Sequence, residues 1–211
     1  MKDILEKASR IRLLIFDVDG VLTDGSLFVG DDGQEYKAFN SRDGHGIKML
    51  KSHGVEIAII TGRTSKVVKY RMENLGITRV YQGKLHKLPT FEELLEDTGI
   101  AAEETAYVGD DVVDLPVMRR VGLAIAVQDA HPLVRQHSHW QTPNPGGRGA
   151  ARRAPDLLAQ APAQEAQLAA AVGHVGPVEA FPGDHGCLKK LSVKGSRTET
   201  ARQKIQTVLP Y

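Results

Sequence analysis

The chain has 211 residues, 41% apolar and 25% charged, with a net charge of +1, a balance that belongs to a soluble globular protein of one domain with a tail. Its longest apolar stretches, "IRLLIF" and "VEIAII", are too short to cross a bilayer, the start "MKDILEKASR" lacks the order of a secretory signal, and a single cysteine, Cys187, excludes an internal disulfide. A cytoplasmic protein with no membrane partner is expected; six Lys and Arg against two Asp and Glu between Phe181 and Tyr211 leave the body slightly acidic, which does not favour nucleic acid.

In chain order, short β-branched runs alternate with helical patterns. "IRLLIFD" predicts a strand, "GIKMLKSHG" a helix, "VEIAIIT" a strand, "SKVVKYRMENLG" a helix and "RVYQG" a strand. "PTFEELLEDTG" then predicts a helix, "ETAYVGD" a strand, "DLPVMRRVG" a helix and "LAIAV" a strand. Such alternation predicts an α/β fold, a Rossmann-like parallel sheet with helices on both faces. Gly54, Gly76 and Gly99 each follow a helical run as a C-terminal cap, and Pro89 suits a first turn.

One insertion breaks the alternation. "SLFVGDDGQEYKAF" reads as two strands joined by Asp31-Asp32-Gly33, a small β-hairpin that would project from the carboxyl edge of the sheet as a flap. Leu27, Phe28, Val29, Tyr36 and Phe39 give it apolar faces suited to self-association. His137 and His139 fall on a strand-like stretch without acid partners, which does not suggest a metal site. Residues 157–172 have helical composition, and 173–211 show no clear period.

In open parallel sheets the ligand lies beyond the carboxyl ends of the strands. The first strand delivers Asp17 and Asp19 there, the second Thr61, Gly62 and Arg63, and the fourth Asp110 and Asp111 with Asp114 close by; Lys84 and Lys87 follow the third. Clustered carboxylates repel one another unless a cation joins them, and hard oxygen ligands favour Mg²⁺ over zinc. Phosphate suits the open positions of such an ion, with Thr61 and a lysine completing its neutralisation. Asp17 could then attack phosphorus, and Asp19 could protonate the leaving oxygen and later activate water. Asp24, in a Thr-Asp-Gly stretch, reads as a local turn residue.

"FDVDGVLTD", "IITG", Lys87 and "VGDDVVD", in that order at strand ends, resemble the four motifs of the haloacid dehalogenase superfamily of phosphatases. A narrower likeness lies in "RDGHGIKML", "ITGRTS", "LGITRVYQGKLHK", "AYVGDDVVDLPVM" and "PGGRGAARRAPDLL". With the small hairpin, these resemble the 3-deoxy-D-manno-octulosonate 8-phosphate phosphatases over about residues 8–160. The resemblance implies a homotetramer packed through its hairpins that hydrolyses the 8-phosphate to the free sugar acid in lipopolysaccharide biosynthesis. It also implies Asp17 as nucleophile, Asp19 as acid/base, and Asp17, the Asp19 carbonyl and Asp110 as Mg²⁺ ligands. Asp111 and Asp114 are implied as supporting acids, and Thr61, Gly62 and Lys87 as phosphate binders, Lys87 being favoured over Lys84.

Arg42, Asp43 and Arg63 are candidates for the sugar's hydroxyls and carboxylate, because an arginine fork matches a carboxylate; Arg148, in "PGGRGA", joins them. Three features depart from the family pattern: Arg153 replaces an acid, Pro155 interrupts a helix, and residues 161–211 form an atypical, flexible extension dispensable for activity. Two alternatives are a phosphatase of a nine-carbon sugar acid 9-phosphate and a non-catalytic scaffold of the same fold. Retention of Asp17, Asp19, Thr61, Lys87 and Asp110 speaks against the scaffold.

Overall fold

The structure, a computed structural model, describes residues 2–159; the extension expected over 161–211 lies outside the described residues. Helix α1 (Lys2–Ala8) leads into β1 (Leu13–Phe16), and a ribbon of β2 (Phe28–Val29) and β3 (Glu35–Tyr36) follows. Then come α2 (Ser41–Ser52), β4 (Glu56–Ile60), α3 (Lys66–Asn74), β5 (Arg79–Tyr81), α4 (Lys87–Thr98) and β6 (Thr105–Gly109). The described chain ends with α5 (Leu115–Met118), β7 (Leu123–Ala126), α6 (Pro132–Gln136), β8 (Trp140–Gln141) and α7 (Ala150–Ala159).

Strands β1, β6 and β7 are buried at every position, as uninterrupted apolar runs are when both sheet faces are covered. The six sheet strands are all parallel, in the order β5-β4-β1-β6-β7-β8, and β2 pairs with β3 in a separate antiparallel ribbon. From β1 the chain moves outward through β4 to β5, then returns to β6 and moves the other way. Right-handed crossovers therefore put α2 and α3 on one face and α4 and α5 on the other. Helix α2 packs against α7, and α4 against α5. Phe16 and Phe91 are buried in the core, each such side chain contributing roughly 1.5–3 kcal/mol.

The direction of winding reverses between β1 and β6, so the loops leaving them diverge and open a crevice. Phe16 pairs in register with Ile59 and with Val108. Asp17 thus emerges level with the ends of β4 and β6.

Gly54, Gly76 and Gly99 follow α2, α3 and α4 with positive φ, as expected. Helix α2 starts earlier than its apolar pattern suggests, because the Asn40 side chain accepts from Arg42 N and caps it. Its internal glycines serve close packing: a Cβ at Gly44 would lie 2.4 Å from Arg71 Nη2, and one at Gly46 3.0 Å from Arg152 Cδ. Pro155 corrects the expectation of a break, for it lies inside α7. Its ring stands beside Gly46, 3.2 Å from where a Cβ would be, and that packing offsets the one helical hydrogen bond proline forfeits. The strand-like stretch expected around His137 is instead the end of α6, capped by His137, followed by β8. His139 accepts from Ala124 N at 2.8 Å, an edge contact of β7 rather than a metal contact.

Candidate active site

The crevice holds an open cleft of about 510 Å³ lined by Asp17, Asp19, Thr61, Arg63, Lys87 and Asp110, among others, a size typical of small-molecule sites. Asp17 follows β1 directly, its N–H donating to Val108 O at 3.1 Å, and its Oδ1 accepts from Val18 N at 2.6 Å. Lys87 opens α4 and turns inward with its side chain unexposed, Nζ lying 2.6 Å from both Asp17 Oδ2 and Asp114 Oδ1. Thr61 follows β4 and is buried; its carbonyl accepts from Lys84 N at 2.9 Å, which ties together the loops after β4 and β5.

Asp114 is saturated. Its Oδ1 accepts from Lys87 Nζ and, at 2.7 Å, from Tyr107 OH, while its Oδ2 accepts from the amides of Asp110 and Asp111 at 3.0 and 3.1 Å. It thereby shapes the loop after β6 from below. Two glycines admit these carboxylates: a Cβ at Gly109 would lie 2.6 Å from Asp114 Oδ2, and one at Gly20 only 2.1 Å from Asp110 Oδ2. Gly20 also has φ +83°, in the left-handed region that disfavours a side chain.

Burial raises the Asp17 carboxyl to about 6 against the opposing pull of Lys87, with Asp114 adding to the rise. Burial, and then the charges of Asp114, Asp17 and Asp111, push Asp110 up to about 8. Burial alone would depress the Lys87 ammonium, but Asp17 and Asp114 more than offset it and hold its pKa above the usual value. Tyr107, wholly buried beside the same acids, stays protonated as a donor.

Crowded acids of this kind call for a cation. Among the described residues, carboxylate oxygens of Asp17, Asp110 and Asp114 lie within 4.8 Å of one another. Asp114 has its lone pairs occupied, whereas Asp110 Oδ1 is buried with no partner. Asp110 and Asp17 are therefore the carboxylates that fit a divalent ion, and an all-oxygen set suits Mg²⁺.

Several expected site residues gather here and others do not. Asp17, Asp19, Thr61, Gly62, Arg63, Lys87, Asp110 and Asp111 line the cleft. Asp111 spends its Oδ1 on Val112 N at 2.7 Å, capping the turn that leads to Asp114. Asp24 accepts from Ser26 N as a turn residue, and Arg148 reaches the cleft edge through Asp24 Oδ2 at 3.4 Å. Asp43 needs correction: it is buried under α7, accepting from Arg152 N at 2.7 Å, because the first turn of α2 faces that helix. Arg42 is likewise elsewhere within this chain, in a groove with Ser41, His45 and Arg152.

Sequence reasoning passed over Lys37, Glu35, Tyr107 and Asp129. Asp129 lines the cleft and accepts from Gly146 N at 2.9 Å, helping to seat residues 146–147 against the loop after β1. Gly147 N donates to Val21 O at 2.9 Å, and a Cβ at Gly146 would lie 1.7 Å from Gly20 O.

A parallel sheet with this switch point and this acid–lysine cluster defines a hydrolase of the haloacid dehalogenase-like class, and a model of that family matches residues 76–152. The chain is 54% identical over 156 residues to the 3-deoxy-D-manno-octulosonate 8-phosphate phosphatase KdsC of Escherichia coli K12, covering 74% of this chain and 83% of the relative. The crystal structure of the Yersinia pestis phosphatase of that name matches with a TM-score of 0.75 and 48% identity over 77% of this chain and 87% of that one. That of the Moraxella catarrhalis phosphatase, in complex with magnesium ion, phosphate ion and KDO, matches at 0.77 and 38% identity over 81% and 98%. The chain belongs to the 3-deoxy-D-manno-octulosonate 8-phosphate phosphatase family.

Proposed function

We propose that the chain hydrolyses the phosphomonoester of 3-deoxy-D-manno-octulosonate 8-phosphate to the free sugar acid and phosphate, with Mg²⁺ as cofactor, in lipopolysaccharide biosynthesis. The observation that carries this reading is the convergence of Asp17, Asp19, Thr61, Lys87 and Asp110 on one cleft in a chain 54% identical to a phosphatase of that substrate.

In this reading Asp17 and Asp110, with the Asp19 carbonyl, hold Mg²⁺, which when bound supplies positive charge to the phosphate oxygens. Thr61, the Gly62 backbone and Lys87 bind the phosphate from the other side. An Asp17 oxygen forms a bond to phosphorus as the bond from phosphorus to the sugar oxygen breaks, giving an aspartyl phosphate. Asp19 gives its proton to the leaving alkoxide, then takes one from the water that attacks phosphorus and frees Asp17. Asp111 and Asp114 support the loop, and Arg63 and Arg148 face the sugar acid's carboxylate.

Exposed Leu27, Phe28, Val29 and Tyr36 on and beside the ribbon support assembly of a homotetramer through it. No helix among the described residues is long and apolar enough to cross a membrane, in keeping with a cytoplasmic site of action.

The test is phosphate release from 3-deoxy-D-manno-octulosonate 8-phosphate, beside a nine-carbon sugar acid 9-phosphate, with Mg²⁺ or EDTA. Selective, EDTA-sensitive release that vanishes in Asp17→Asn is expected. Faster release from the nine-carbon ester would move the substrate assignment, and no release from either would leave a scaffold.

A further inference from the structure

The ribbon brings against Asp19, a residue that lines the cleft, a lysine that the reaction just described leaves without a role. Lys37 follows β3 and has no side-chain exposure; its Nζ is ion-paired with Asp19 Oδ1 and lies 3.0 Å from Glu35 Oε1. Arg63, half exposed, approaches the same pair from the loop after β4, with Nε 3.8 Å from Asp19 Oδ2 and Nη2 3.5 Å from Glu35 Oε1. The two acids that follow β1 are thus held by different lysines: Lys87 of α4 grips Asp17, and Lys37 of the ribbon grips Asp19.

A buried ammonium is costly unless carboxylates surround it, and here Glu35 supplies one of them from the ribbon itself. That leaves Lys37 a fixed post and not a wandering surface charge. Asp19 sits on a loop turning away from the sheet, where Lys37 and Arg63 are the side chains that restrain its carboxylate.

We propose that Lys37 is a positioning residue for Asp19, holding its carboxylate where one group can serve both the leaving oxygen and the attacking water. The inference rests on the phosphatase reading and its assignment of Asp19 as acid/base. Proton transfer requires the donor within about 2.6–3.2 Å of the atom it serves, and small misplacements are expensive in rate. Glu35 acts at one further remove, by holding Lys37.

The experiment compares kcat/KM for two esters. The sugar 8-phosphate must expel an alkoxide that needs a proton, whereas p-nitrophenyl phosphate expels a phenolate that leaves without one. Lys37→Met should lower kcat/KM for the sugar ester at least about tenfold and for the aryl ester far less. Lys37→Arg should restore most of the loss, and Glu35→Gln should show the same leaving-group dependence at smaller size. Equal losses on both esters, or no loss, would overturn the proposal while leaving the phosphatase reading intact. A wild-type chain that releases phosphate from neither ester would remove that reading and this inference together.

Discussion

Lys87 Nζ and Asp114 Oδ1 meet at 2.6 Å with neither side chain exposed to solvent. The same nitrogen is the counter-ion of Asp17, so a single cation bridges two buried acids. Lys87→Met keeps the volume and removes the charge. It should destabilise the protein by about 3–5 kcal/mol and abolish phosphate release. Urea denaturation of the two proteins checks the first effect, and a loss under about 1 kcal/mol would show that the pair is solvated.

Asp110 makes the opposite case, since its carboxylate is buried and then crowded by like charges. In metal-free protein its pKa is raised from 3.8 to about 8, so the folded state keeps a proton that the unfolded chain loses at lower pH. Its contribution to stability therefore falls as pH rises from about 4 to about 8. Asp110→Asn, which mimics the protonated form, should match wild type in EDTA near pH 4 and exceed it increasingly toward pH 8. Mg²⁺ should raise the melting temperature of wild type and not of the variant. Melting curves with Mg²⁺ and with EDTA across that range decide it.

Gly146 lies against the backbone of the loop after β1, and a Cβ there would stand 1.7 Å from Gly20 O and 3.1 Å from Thr23 O. Gly146→Ala must displace that loop or the segment itself. A cost of about 1–3 kcal/mol and a fall in kcat are expected with the fold retained. Circular dichroism beside steady-state kinetics measures both; unchanged kcat would mean that the segment alone moves.

The described residues that line the cleft lie between Asp17 and Asp129, Arg148 at its edge also precedes residue 160, and the likeness to the Escherichia coli relative spans 156 residues. A chain ended at residue 160 should therefore keep the full rate of phosphate release. A large loss on truncation, with the fold intact by circular dichroism, would assign residues beyond 160 a part in turnover.

Asp17, Thr61 and Asp110 were legible because an open parallel sheet sends its ligands to one edge, and a residue's place after an apolar run is visible in the sequence; the same argument left Lys84 beside Lys87, and only the family motif favoured Lys87. Lys37 was not, because its partner Asp19 stands 18 positions away across a ribbon whose fold back onto the loop has no periodic signature. Tyr107, within "ETAYVGD", looks like a core aromatic, and only the register shows its hydroxyl beneath Asp114. Asp43 misled for a related reason: with Pro155 taken as a helix breaker, nothing in the sequence announced that α7 would cover the first turn of α2. Helix α6 and strand β8, of five and two residues, are too short to display a period.

The spaces at Gly20 and Gly109 carry a consequence for genetics. The carboxylates of Asp110 and Asp114 occupy the positions where methyl groups at those glycines would stand, at 2.1 and 2.6 Å. A random screen for inactive variants should accordingly recover Gly20 and Gly109 as often as the aspartates, although neither glycine offers a single atom to the chemistry.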